Sequence, residues 1–242
     1  MIDDLVPDGV RAQDAFGDVS PESSVPLFPA EQAVVAGAFE ERRKEFTTVR
    51  GCARGALARL GVAPAPLVPG PLGAPSWPAG IVGSMTHCQG YRAAAVAYAA
   101  DFAALGIDAE PQEPLPGIVA ARIVTDTESG WLRQDFPAAA GLPLDRLLFC
   151  AKEASYKAFS PWTETRFGFR DFIVRLRSDG TFRVVPPGSG MPLSGTRVAG
   201  ISGHWVARSG FLLTIVAVSA GRSPEARLAR HQNHRPRPPV FS

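Results

Sequence analysis

Hydrophobic positions recur at helical spacing early in the chain and again past its middle, with strand-like runs between and after. Phe46, Val49, Ala53, Leu57 and Leu60 fall on one helical stripe. Upstream, Pro29-Ala30-Glu31 supplies a start, with proline in the first turn and an acid at the positive end of the dipole. This helical stretch, with a break in it, is expected to end at Leu60, where Gly61 provides the cap. A second long helix is expected from about Leu144 to Phe159, preceded by a short one through Gln134. Thr125-Asp126-Thr127-Glu128 announces the short helix with capping-box spacing, which accounts for Glu128.

Strand character is read in Tyr91 to Ala99 and in Leu105 to Glu110. A turn at Asp101-Phe102 separates them, so the pattern predicts that they pair as a hairpin. Two more hairpins are predicted later. Phe172–Arg177 joins Thr181–Val185 across Ser178-Asp179-Gly180, and Gly200–Trp205 joins Phe211–Val218. Residues 1–27, 61–80 and 111–117 are proline-dotted, show no period and are assigned no regular structure. Gly83-Ser84-Met85-Thr86-His87 aligns with Gly200-Ile201-Ser202-Gly203-His204, each ahead of an apolar strand. This faint repeat predicts two similar halves.

Composition narrows the class. With 242 residues, 45% hydrophobic and 20% charged, the chain can build one large core or two smaller ones. No apolar run approaches a membrane span, and the acidic start at Asp3 and Asp4 is unlike a secretory signal. Cys52, Cys88 and Cys150 are widely spaced and odd in number, neither a disulfide framework nor a zinc site. A reducing cytoplasm is the expected setting. The net charge of +2 hides an asymmetry: residues 221–242 hold five arginines against one acid and read as a disordered basic tail. The rest of the chain is slightly acidic, which argues against a nucleic-acid surface.

Several side chains stand out as candidate chemistry. Asp108 and Glu110 lie two apart on a strand, so both point to one face. Paired carboxylates repel unless a cation neutralises them, and hard oxygen ligands suit magnesium; an exposed edge strand would carry them equally well. Arg43, Arg50 and Arg54, seven and four apart, share a second stripe beside the apolar one. That stripe is either an anion site or a solvated basic face. Ser84, Thr86 and His87 offer two hydroxyls and an imidazole just before a strand. Glu153 and Lys157 stand in the order that favours a surface ion pair.

In their order along the chain, Trp77-Pro78, Gly83-Ser84-Met85-Thr86-His87, Gly106-Ile107-Asp108-Ala109-Glu110 and Ala151-Lys152-Glu153-Ala154-Ser155-Tyr156-Lys157-Ala158 form a specific set. The set resembles the 4′-phosphopantetheinyl transferases of the surfactin and enterobactin synthetase type. The resemblance implies an α+β pseudo-dimer of two similar lobes with coenzyme A in the cleft between them. Residues 1–105 would form the N-terminal lobe, on the adenosine and 3′-phosphate side. Residues 106–220 would form the C-terminal lobe, on the metal and carrier-protein side.

By the same resemblance, Asp108, Glu110 and Glu153 would hold magnesium, or manganese, and Glu153 would take the proton of a carrier-protein serine. Lys152 and Lys157 would meet the diphosphate of coenzyme A. Arg43, Arg50, Arg54, Ser84, Thr86 and His87 would surround its 3′-phosphate end. The partners implied are acyl or peptidyl carrier proteins of fatty-acid, polyketide or nonribosomal peptide synthesis, with neither membrane nor nucleic acid, and the chain is expected to be a monomer. The alternative is a non-catalytic module of the same fold that binds coenzyme A or a carrier protein. Gly73-Ala74-Pro75 lacks a lysine that the surfactin branch often carries there, and Phe149 replaces its tryptophan.

Overall fold

A computed structural model of the chain describes residues 1–19, 25–136, 141–185, 191–193, 196–198 and 201–220. The tail expected at 221–242 lies outside the described residues. Each of two halves opens with a strand, continues through helices and closes on an antiparallel hairpin, Ile81–Cys88 with Tyr91–Tyr98 in the first and Ile201–Arg208 with Phe211–Ser219 in the second. The first holds β1 (Arg11–Phe16), α1 (Pro29–Val34), α2 (Glu40–Arg59), β2 (Ile81–Cys88) and β3 (Tyr91–Tyr98). The second opens with β4 (Phe102–Pro111), α3 (Gly117–Ile123), α4 (Asp126–Asp135) and α5 (Leu144–Thr163). It continues through β5 (Ile173–Leu176), β6 (Thr181–Val185), β7 (Met191–Leu193), β8 (Thr196–Val198), β9 (Ile201–Arg208) and β10 (Phe211–Ser219).

The fold is α+β with antiparallel sheets. The first sheet has the order β1-β3-β2 and the second β4-β10-β9-β6-β5, while β7 and β8 pair separately. The β5–β6 and β9–β10 hairpins form as the alternation predicts. The hairpin expected between Tyr91–Ala99 and Leu105–Glu110 does not. Both edges of β3 are already taken, by β1 and β2, so β4 crosses to the second sheet and pairs with β10. The strand β1 inside the aperiodic residues 1–27 supplies that competing edge, and Gly83–His87 lies on β2 rather than ahead of a strand.

The internal repeat is present in a shifted register. Gly83 pairs with Val96 in one hairpin and Gly203 with Val216 in the other. Gly83 therefore corresponds to Gly203, and His87 to Ala207 rather than to His204; Gly200 lies outside the described residues. Clearance explains the shared glycines. A Cβ at Gly83 would lie 2.9 Å from the Ala95 carbonyl oxygen, and one at Gly203 would lie 2.6 Å from that of Ile215.

Local signals set the helix ends. Gly61 at φ +75° closes α2, its N–H reaching the Ala58 carbonyl while Val62 N–H reaches that of Leu57. The Thr125–Glu128 capping box opens α4 as predicted. Helix α2 buries Phe46, Val49, Ala53 and Leu57, and α5 buries Leu147, Leu148, Ala151, Ala154 and Phe159 over the second sheet. A third apolar layer joins the halves, Tyr91, Ala93, Ala95 and Ala97 of β3 packing with Leu105, Ile107 and Ala109 of β4. Among the described residues no helix is long and apolar enough to cross a membrane.

Where β2 meets β4 there is no strand ladder. Side chains replace it: Ser84 Oγ accepts the Ile107 N–H at 3.0 Å, and Thr86 Oγ1 accepts the Ala109 N–H at 3.2 Å. Buried amides must find acceptors, and here two hydroxyls of one lobe satisfy the strand edge of the other.

Candidate active site

Helix α5 lies directly on β4 because Gly106 has no side chain. A Cβ there would sit 2.0 Å from the Ala154 carbonyl oxygen and 2.6 Å from the Ala158 nitrogen. Arg146, Glu153 and Lys157, seven and four apart, share one stripe of α5. Two of them reach the acids of β4. Lys157 Nζ is 2.6 Å from Asp108 Oδ1, and Arg146 Nη1 is 2.7 Å from Glu110 Oε2. Thr86 Oγ1 donates to the same Asp108 Oδ1 at 2.9 Å and accepts from Lys157 at 3.2 Å.

The three carboxylates expected to act together share one electrostatic neighbourhood. Burial, and then the charge of Asp108, push the Glu110 and Glu153 carboxyls above their usual range. Burial works to lower the pKa of Lys157, but the charge and hydrogen bond of Asp108, helped by Glu153, outweigh it and raise it. Among the described residues no three His, Cys, Asp or Glu side chains stand close enough to hold a metal ion between them. The donor chemistry nevertheless fits a hard divalent cation. Asp108 is 3% exposed, and its buried Oδ2 has no hydrogen-bond partner among the described residues, which is costly unless a cation or donor completes it.

Of these groups Glu153 and Lys157 line a cleft of about 740 Å³ between the two halves, whereas Asp108, Glu110 and Arg146 do not line it. One wall comes from α2, β2 and the segment before it, including Arg42, Phe46, Arg50, Trp77 and His87; the other includes Leu105, Glu153 and Lys157. Arg50 is held for this position. Its guanidinium lies 3.1 Å over the Phe46 ring and Nε donates to the Leu67 carbonyl at 3.2 Å. Burial lowers its pKa to about 10, so it stays charged at neutral pH. His87 lies 3.0 Å from Arg42 Nη1, and burial, with Arg42 and Lys157 adding to it, lowers its pKa.

The other expected anion ligands are placed differently. Arg54 is 6% exposed and its Nη1 donates to both carboxylate oxygens of Glu31 of α1, at 2.9 and 3.1 Å, outside the cleft. Glu31 also accepts the Leu67 and Phe28 N–H groups, so the pair fastens α1 and the Leu67 segment to α2. Arg43 is exposed and does not line the cleft; its neighbour Arg42 does. Arg42 is recoverable from sequence as the residue four before Phe46 and eight before Arg50. Ser84 lines the cleft with its hydroxyl engaged at the seam, and Thr86 is engaged with Asp108.

Lys152 does not face the cleft. It is 1% exposed and donates to Glu128 Oε2 and the Ile123 carbonyl at 2.8 Å and to the Phe169 carbonyl at 2.9 Å. Burial lowers its pKa, against the pull of Glu128. Glu128 caps α4 and also accepts the Val174 N–H at 2.9 Å, so its role exceeds the capping box. The phosphate contact expected of Lys152 is replaced by a buried tie among α3, α4, α5 and β5. Neither partner of this tie is visible locally, since Glu128 lies 24 residues away.

Residues 30–97 match the family model of the 4′-phosphopantetheinyl transferase N-terminal domain, and residues 104–209 match that of the 4′-phosphopantetheinyl transferase superfamily. The chain is 47% identical over 223 residues to 4′-phosphopantetheinyl transferase Svp of Streptomyces mobaraensis, covering 91% of this chain and 90% of the relative. It is 41% identical over 227 residues to Npt of Nocardia iowensis (90% and 99% covered), a protein of the same description. With PptT of Mycobacterium tuberculosis, also so described, it shares 42% identity over 205 residues (82% and 88% covered). An α+β chain whose two halves meet at an acid- and arginine-lined cleft, and which matches these proteins over most of its length, belongs to the 4′-phosphopantetheinyl transferase superfamily and is an enzyme of that kind.

Proposed function

We propose that the protein transfers the 4′-phosphopantetheine group of coenzyme A to a serine hydroxyl of apo carrier proteins, in the presence of magnesium, and releases 3′,5′-ADP. The observation that carries this reading is the buried Asp108 Oδ2, which has no hydrogen-bond partner among the described residues, on a carboxylate whose other oxygen meets Lys157 of the interlobe cleft wall. Asp108, Glu110 and Glu153 would hold the cation, with manganese as a substitute. Bound there, the metal would compensate the charge of the diphosphate.

The chain's own groups supply the rest. Arg50, with Arg42 and His87 beside it, offers charge and directed donors to the 3′-phosphate end of coenzyme A. Lys157 offers its ammonium to the diphosphate. Glu153, whose carboxylate makes no hydrogen bond or ion pair among the described residues, accepts the proton of the incoming serine hydroxyl. The freed oxygen attacks the β-phosphorus, the bond to the bridging oxygen breaks, and Lys157 stabilises or protonates the departing 3′,5′-ADP. Such a reaction asks mainly for positioning and charge compensation. Both walls of the cleft come from one chain, so a monomer suffices.

Incubating an apo carrier protein with coenzyme A, magnesium and the enzyme tests this by intact-mass spectrometry. The expected result is a mass gain of one phosphopantetheine per carrier, abolished by Asp108→Ala. Carrier binding without a mass change would identify a binding module instead, and breakdown of coenzyme A without transfer would identify a hydrolase.

A further inference from the structure

The first turn of α5 makes contacts that the reaction above does not use. Arg146 engages three guanidinium nitrogens: Nη1 with Glu110 Oε2 at 2.7 Å, Nε with the Glu113 carbonyl at 3.1 Å, and Nη2 with the Pro114 carbonyl at 3.2 Å. Beside it, Asp145 Oδ2 accepts the Leu115 N–H at 3.0 Å. The start of α5 thereby grips the chain as it leaves β4, immediately after the two acids.

Of those acids, Glu110 is the one that needs a grip. Asp108 is buried and already fixed by Thr86 and Lys157. Glu110 stands one residue from the strand end, with 17% of its side chain exposed. A glutamate side chain loses rotamer freedom when it is ordered, so an unanchored one is a poor ligand. Arg146 holds one of its oxygens and is itself fixed by two backbone carbonyls, so the carboxylate is anchored while its second oxygen stays available to another partner. On the α5 stripe, Arg146 and Lys157 stand on either side of Glu153, each contacting one acid of β4.

We propose that Arg146 is the positioning residue of the acidic cluster, fixing Glu110 on the Asp108 face of β4 so that its oxygen is in place for a divalent cation. This inference rests on the cation reading of the three acids. The opposing account is simple charge: a guanidinium beside a cation site repels the ion, and its removal tightens binding. The two accounts differ in sign. Hydrogen-bond partners of metal ligands set affinity by about 10- to 100-fold, which is the loss expected here.

Titration of the full chain with Mn²⁺, free ion followed by electron paramagnetic resonance and without coenzyme A, separates these accounts. Arg146→Met is expected to weaken Mn²⁺ binding by about 10- to 100-fold. Arg146→Lys should recover most of that loss, since one ammonium still reaches Glu110. Melting curves without metal check that each variant is folded. Equal or tighter binding by the Met variant overturns the proposal, as does a Lys variant as weak as Met, which would leave Arg146 only fastening residues 113 and 114. Glu110→Gln is the control for the underlying reading. If the wild type binds no Mn²⁺, or this variant binds it as well as wild type, the cation reading falls and the proposal falls with it.

Discussion

Lys152 and Glu128 illustrate how far a residue's neighbours in sequence can mislead about its partners. The lysine adjoins Glu153 in the chain, yet a helix turns successive residues by about 100°, and Lys152 points into the second lobe instead. Replacing it by methionine leaves Glu128 buried and uncompensated, at a cost of about 3–5 kcal/mol. A lowered urea midpoint would report that loss, with coenzyme A affinity retained in the folded variant; retained stability with lost affinity would restore the lysine to the phosphates. Asp14 gives a pH-dependent case. Burial alone would raise its carboxyl, but the Tyr91 hydroxyl at 2.6 Å and the Ile2 N–H at 3.1 Å outweigh it and the pKa is lowered. A depressed carboxyl stabilises the fold above its unfolded pKa of about 3.9, and that stability is lost as pH falls through the folded value. Urea midpoints between pH 6 and about pH 3 should therefore fall less steeply in Asp14→Asn than in wild type. The alternation that places Asp108 and Glu110 on one face is legible in six consecutive residues. That Arg54 belongs to Glu31 is not, because the acid comes from another helix 23 positions earlier.

Among the elements, the α5–β4 contact is the one that brings the acids and cations together, and Gly106 sets its spacing. Gly106→Ala would meet helix backbone rather than a movable side chain, so the helix must shift. Overpacking of that kind costs about 1–3 kcal/mol, and turnover should fall with it because Glu153 and Lys157 ride on the same helix. A variant as stable and active as wild type would show that α5 can float on the sheet. The helices were readable from their periods and caps because those signals are local: Gly61 ends α2, and Thr125 with Glu128 opens α4. Strand partners were not. A turn between β3 and β4 is compatible with a hairpin, but which edges remain open depends on β1, some 80 residues away, a strand whose own sequence carries no sustained alternation. The repeat was likewise visible as letters and misplaced as structure. Identity of a glycine and a histidine aligns His87 with His204, whereas strand register and contact with a neighbouring carbonyl align Gly83 with Gly203.

At the scale of the whole molecule, the cleft has one wall in each lobe, and a ligand that bridges them stabilises the native state by mass action. At a hundredfold excess over its Kd, coenzyme A should add about 2.7 kcal/mol, read as a higher melting temperature. The gain should shrink both in Arg50→Met, on one wall, and in Lys157→Met, on the other; a gain sensitive to one wall alone would mean that the ligand does not span the lobes. The correspondence of the two hairpins extends to the strands beside them. Asp108 and Glu110 pair with Thr214 and Leu212 of β10, and the matching places on β3, Ala94 and Arg92, pair with Gln13 and Ala15 of β1. The acids of one half thus have an amide and a methyl group as their counterparts. The halves are therefore unequal, acids lying on β4 of one and the cleft arginines on α2 of the other, so the reaction proposed above would draw on both halves and two copies of either would lack part of its groups.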